Sequence, residues 1–119
     1  LALDYRSEEK SLTALLTGDA EKSETAEVLR FGDVGDIDFL KVGHHGSKIS
    51  LDAEGAEALD PEVSVASAGE NNRYGHPSPE CEGVLKGAGS VFLCTKDVGD
   101  VTVRPGVGGP SVTQQREAA

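Results

Sequence analysis

At 119 residues, with 37% hydrophobic residues and fifteen glycines, the chain is long enough for one modest core and for no more than one domain. Twenty-one acidic residues against eleven basic ones give a formal charge of −10, which repels a phosphate backbone and excludes nucleic-acid binding through a general basic surface. No stretch approaches the roughly 20 apolar residues of a transmembrane helix, and the N-terminus lacks the charged-then-apolar order of a signal peptide. The sequence contains no methionine, which fits a piece of a longer protein.

Residues 1–6 and 12–17 alternate or run apolar around Ser7-Glu8-Glu9-Lys10, the pattern of a hairpin. A helix is expected over 23–29, where Ala26, Leu29 and Arg30 recur at helical spacing, and Gly32-Asp33-Val34-Gly35-Asp36 breaks it before a strand over 37–42. The alternation then repeats: a short helix over 51–59 stopped by Pro61, a strand over 63–67, a helix over 79–86 begun by proline, and strands over 90–95 and 100–103. Helices alternating with apolar strands indicate an α/β layer, a mixed sheet with helices on one face. After Val103, the run Arg104-Pro105-Gly106-Val107-Gly108-Gly109-Pro110 and a polar end without apolar period read as a flexible tail, so residues 1–104 form the domain and 105–119 the tail. Cys81 and Cys94, on an expected helix and an expected strand, have no Cys-x-x-Cys spacing for zinc and read as buried thiols or a single disulfide, free thiols being favoured.

Three loop segments carry the chemistry. The first closes the hairpin as Leu15-Leu16-Thr17-Gly18-Asp19, where Asp19 reads either as a metal-binding carboxylate or as the N-cap of the helix that follows. The second, Asp38-Phe39-Leu40-Lys41-Val42-Gly43-His44-His45-Gly46-Ser47, places a histidine pair where an apolar strand breaks into a glycine turn. Alternation along that strand assigns Leu40, Val42 and His44 to the core side, which leaves His45 as the ligand and His44 to orient it or to touch substrate. Ser47 either caps the next turn or hydrogen-bonds a ligand. The third, Asn71-Asn72-Arg73-Tyr74-Gly75-His76-Pro77, taken singly, is a polar loop closed by a rigid turn. Ends of neighbouring strands converge, so Asp19, His44 or His45, and His76 can meet at one sheet edge, with Lys41, Lys48 and Arg73 as a local positive patch in an acidic body.

In this order and spacing the three segments resemble the metallo-β-lactamase-like domain of the DNA-internalisation competence proteins, the ComEC family, over residues 1–103. Domains of that family begin with a further half bearing a His-x-His-x-Asp-His cluster, and this chain has only three histidines, His44, His45 and His76. The resemblance therefore implies the C-terminal half of an αβ/βα sandwich and half of a metal site. It implies Asp19, His45 and His44 as ligands of zinc or manganese, and metal-assisted hydrolysis of a phosphodiester. His76 would contact phosphate or protonate the leaving group, with Ser47, Lys48, Arg73 and Tyr74 beside it. The implied partners are the missing N-terminal half, DNA as substrate of the whole protein, and a membrane-channel portion of the same polypeptide, which makes this a soluble domain of a bacterial membrane protein. The inner sheet face, without its partner half, would drive self-association. Two other classes remain open on the sequence: a non-catalytic interaction module, and a hydrolase of the same superfamily acting on a small phosphoester, which suits the acidic charge better.

Overall fold

A computed structural model describes residues 2–7, 10–18, 37–46, 51–69 and 77–117. The helix expected over 23–29 lies outside the described residues. Strand β1 (Ala2–Arg6) pairs antiparallel with β2 (Ser11–Leu16), from Ala2 opposite Leu15 to Arg6 opposite Ser11, and the turn closes with Ser7 N–H donating to the Lys10 carbonyl at 2.8 Å. Strands β3 (Phe39–Lys41), β4 (Val63–Ala66) and β5 (Val91–Cys94) then add in order beside β2, each parallel to its neighbour. The sheet is thus mixed, as expected, and its order β1-β2-β3-β4-β5 follows the chain.

Parallel neighbours require crossovers, and among the described residues helices supply two of them. Between β3 and β4 runs α1 (Ala53–Leu59), started by the Asp52 carboxylate accepting from Gly55 N–H at 2.8 Å and stopped at Asp60, whose φ of 45° is left-handed. Between β4 and β5 runs α2 (Pro79–Gly87), capped by Ser78, whose hydroxyl accepts from Cys81 N–H at 3.1 Å, with Pro79 at the first helical position where it gives up no needed donor. Leu59 from α1 and Cys81 and Leu85 from α2 join Leu15, Leu40, Val42, Ala66 and Cys94 of the sheet in one buried cluster, so both helices cover the same face. Cys81 and Cys94 are buried thiols, and burial pushes the Cys94 thiol up from its ordinary pKa. The thiolate is the nucleophile, so Cys94 is expected to resist iodoacetamide in the native protein at pH 8 and to react only on unfolding, a difference read by intact mass.

At the entrance to the parallel strands Asp38 and Thr13 clamp β3 to β2. Thr13 N–H donates to Asp38 Oδ2 at 2.9 Å, and Asp38 N–H reaches both the Thr13 carbonyl (3.0 Å) and Thr13 Oγ1 (3.1 Å). Deeper in, the hydroxyls of Ser64 and Ser90, both buried, bond to each other across β4 and β5. Ser64→Ala leaves the Ser90 hydroxyl unsatisfied and is expected to destabilise by about 1–3 kcal/mol, whereas the double change to alanine recovers most of that loss. A double-mutant cycle by urea unfolding checks it, and equal losses in the single and double variants would count against the pair.

Helices α1 and α2 leave the second face of the sheet uncovered. Register places Leu3 and Tyr5 with Leu12 and Ala14 on it, followed by the ranks Phe39-Val63-Val91 and Leu16-Lys41-Val65-Leu93. Its centre is buried at Leu12, Ala14, Val63 and Val65, while its margins are open, with Leu3 51%, Tyr5 46% and Val91 58% exposed. The inner face expected to be bare is therefore exposed at its edges only.

The C-terminal residues differ from the sequence reading. A short helix α3 (Thr95–Val98) follows β5, and β6 (Val101–Arg104) pairs antiparallel with β7 (Ser111–Gln114), where a tail is expected. The glycine-rich run is the hairpin loop, with Gly108 and Gly109 at φ 76° and 147°, and Ser11 bridges to Gly106. The strand is held from outside itself: Val103 faces Val112, Gln115 N–H donates to the Asp100 carbonyl at 2.9 Å, and the Arg116 guanidinium donates to the Asp97 and Lys96 carbonyls at the end of α3. Four residues with one apolar side chain carry too little periodicity to announce such a strand.

Candidate functional site

The three loop segments leave from three adjacent parallel strands, so all begin at the same edge of the sheet. Leu16, Lys41 and Val65 are consecutive register partners, and Thr17-Gly18-Asp19, Gly43–Gly46 and the segment running to His76 follow β2, β3 and β4. Open α/β sheets bind ligands at this carboxyl edge. Two bonds tie the exits together there: Thr17 Oγ1 donates to the Lys41 carbonyl at 2.7 Å, and Val42 N–H to the Val65 carbonyl at 2.9 Å. The threonine of the Thr-Gly-Asp segment therefore anchors β2 on β3, and Gly18, at φ 57°, turns the chain immediately after it.

The histidine pair lies in a single 3₁₀ turn, Gly43–Gly46. Strand β3 ends at Lys41, so Leu40 and Val42 do enter the core as expected, but strand alternation stops before His44. In a three-residue turn successive side chains step by about 120°, not 180°, and alternation has no power to rank His44 against His45.

The second and third segments touch. Gly46, the residue after His45, is buried at φ 84° with its Cα hydrogens against Pro77, the residue after His76; a Cβ there would sit 2.5 Å from Pro77 Cβ and 3.4 Å from Ala66 Cβ. The Gly46 carbonyl also accepts from Ser78 N–H at 2.7 Å. The same glycine thus provides both the left-handed turn and the close approach, and Ser78 joins this contact to the start of α2. The end of the Gly43–Gly46 turn and Pro77 are thus in contact, although 31 residues separate Gly46 from Pro77 in sequence.

Of the residues predicted for the site, Asp19, Ser47, Lys48, Arg73, Tyr74 and His76 lie outside the described residues, as do the side chains of His44 and His45. Among the described residues no group of three His, Cys, Asp or Glu side chains is disposed to hold a metal, and no helix is long and apolar enough to cross a membrane. One residue of this edge that sequence reading placed only in a loose positive patch is resolved: Lys41 is half-buried, and burial lowers its pKa from the ordinary lysine value.

No protein-family model matches the chain, and no solved structure matches it. Curated proteins do. The ComE operon protein 3 of Bacillus subtilis is 40% identical over 90 residues, covering 76% of this chain and 12% of that protein. The competence protein ComA of Neisseria gonorrhoeae is 33% identical over 103 residues, 86% of this chain and 15% of that one. Recombination protein 2 of Haemophilus influenzae is 40% identical over 65 residues, or 55% of this chain and 8% of that protein. The chain thus spans a small part of the length of the relatives it matches. With three motif-bearing segments leaving one edge of a mixed α/β sheet, these matches support a competence protein of the ComEC family.

Proposed function

We propose that the chain is part of a metal-dependent hydrolase domain of metallo-β-lactamase type, a phosphodiesterase or nuclease acting on DNA during competence-related uptake. The observation that supports this reading is the packing of Gly46 on Pro77, a contact between the turn that holds the histidine pair and the residue that follows His76 in sequence. The donor set fits a metal chemically: one carboxylate and an imidazole nitrogen, from the segments that follow the adjacent strands β2 and β3, suit zinc or manganese. Asp19 and His45, with His44 as alternate, would hold it. When bound, such a cation supplies Lewis acidity toward phosphoryl oxygens and a nucleophilic hydroxide at neutral pH.

This chain's own residues do the rest. His76 moves the proton to the leaving oxygen, since an imidazole titrates near neutrality. Ser47, Lys48, Arg73 and Tyr74 contact the substrate phosphate, and the helix-free sheet face receives the N-terminal half of the domain. A membrane-channel portion of the same polypeptide would place this domain at a bacterial membrane. The charge of −10 favours, as a second reading, a small phosphoester in place of DNA.

The test is hydrolysis by the full-length protein of a single-stranded oligonucleotide and of bis(4-nitrophenyl) phosphate. Cleavage lost in EDTA and restored by zinc or manganese is the expected result; cleavage of the small diester alone selects the second reading. Absence of both activities in metal-loaded protein overturns the hydrolase. The chain by itself has about two metal donors where stable zinc sites use three or four. It is expected to hold metal weakly on dialysis, and one zinc per chain by elemental analysis contradicts the half-site. Its exposed apolar margins are expected to bind a hydrophobic dye and to promote self-association, which sedimentation as a clean, dye-free monomer would refute.

A further inference from the structure

The helix-free face is apolar at every described strand position but one. Strand alternation and register put Leu3, Tyr5, Leu12, Ala14, Phe39, Val63 and their neighbours on it, and Lys41 is its single charged side chain among the described residues. The lysine stands in the last rank of that face, between Leu16 and Val65, where β2 and β3 end and the Thr-Gly-Asp and Gly-His-His-Gly turns begin. Among the described residues its ammonium makes no ion pair or hydrogen bond, and burial lowers its pKa from the ordinary lysine value. A cation half-buried among apolar strand positions costs desolvation, and a leucine or valine at this position would suit the face better. Charges held against local packing in this way belong to sites that bind something of opposite sign.

We propose that Lys41 is a substrate-binding residue whose ammonium contacts an anionic oxygen of the phosphate held at the carboxyl edge of the sheet. The assignment rests on the phosphoester-hydrolase reading given above and adds a contact from the end of β3, ahead of the turns that carry the other proposed site residues. Lysine acts here as a point charge on a flexible stem, so it contributes attraction for any phosphate diester and no base specificity. It also answers the charge problem: in a body of net charge −10, one cation at the rim of an apolar face makes the local field attractive where the diester enters.

The experiment uses full-length protein in EDTA, so that binding is read without turnover, with a fluorescent single-stranded oligonucleotide and bis(4-nitrophenyl) phosphate as probes over a range of salt. Lys41→Met is expected to weaken both probes by a similar factor of several-fold and to reduce the salt slope for the oligonucleotide by about 0.7, the value for one lost phosphate contact on a single strand. Lys41→Arg should keep the slope. Thermal unfolding of the same samples should show Lys41→Met at or above the wild-type midpoint, because the unpaired charge is gone. Unchanged affinity and slope in Lys41→Met, with wild type binding well, overturns Lys41 and leaves the hydrolase reading standing. A loss confined to the oligonucleotide also overturns it, since the contact is then away from the reacting phosphate. Failure of wild type to bind either probe in EDTA overturns the Lys41 contact, while the hydrolase reading is decided by the hydrolysis test on metal-loaded protein.

Discussion

Asp19→Ala in the full-length protein is expected to abolish metal-dependent phosphodiesterase activity and to lower metal content together, because the proposed site takes its carboxylate ligand from Asp19. Loss of a charged ligand affects both the holding of a cation and the Lewis acidity it supplies. His45→Ala should resemble it, more mildly where His44 substitutes, since both histidines lie within the one turn Gly43–Gly46. His76→Ala should behave differently. As a proton donor it leaves metal content near normal while turnover falls by about 10² to 10⁴, the usual worth of a general acid or base. Elemental analysis and steady-state kinetics on the same preparations separate the roles. If His76→Ala strips the metal while Asp19→Ala keeps metal and activity, the roles are wrongly assigned and Asp19 is a helix cap.

Gly46→Ala is the second large effect, and it acts through geometry. At φ 84° an L-residue is strained, and its Cβ would meet Pro77 Cβ at 2.5 Å and Pro77 Cα at 3.0 Å, where neither atom belongs to a flexible side-chain end. Left-handed strain of roughly 1–2 kcal/mol adds to overpacking of typically 1–3 kcal/mol, so destabilisation of about 2–5 kcal/mol is expected by urea unfolding. Gly18→Ala is the control, since its φ of 57° is also left-handed but nothing lies within 4 Å of its Cβ. It should show only the strain of roughly 1–2 kcal/mol. Equal losses in the two variants would remove the close approach of the two turns. In the full-length protein Gly46→Ala should also depress turnover without touching any proposed ligand, because a displacement of about 1 Å at a reacting centre costs on the order of 10²-fold in rate.

Local chemistry made most of the elements legible. The hairpin announces itself by period-2 apolar residues around Ser7–Lys10, α2 by Ser78-Pro79, and the stop of α1 by Asp60-Pro61, because capping, turn and proline rules act within four residues. Where a neighbour distant in sequence decides, those rules have nothing to say. Strand β7 is held by Val103, Asp100 and the end of α3, and its own residues, Ser-Val-Thr-Gln, read as a polar tail. The expected strand over 37–42 stops at Lys41 for a similar reason: Gly43 and Gly46 permit a 3₁₀ turn that packs on Pro77, and the alternation used to choose between His44 and His45 ends with the strand.

The amino-acid sequence by itself determined the residue types available for chemistry, a carboxylate after one strand and imidazoles after two others, together with the α/β alternation that carries them. It did so because ligand identity and secondary-structure periodicity are written in the order of the residues. Only the tertiary structure decided that β2, β3 and β4 are parallel neighbours, that Gly46 rests on Pro77, and that Lys41 stands between Leu16 and Val65 in the last rank of its sheet face. Strand order, the contact of turns 31 residues apart and the choice of which face the helices cover are settled by the burial of Leu40, Val42, Leu59 and Leu85 in one core, a free energy shared by the whole chain and owned by no local segment.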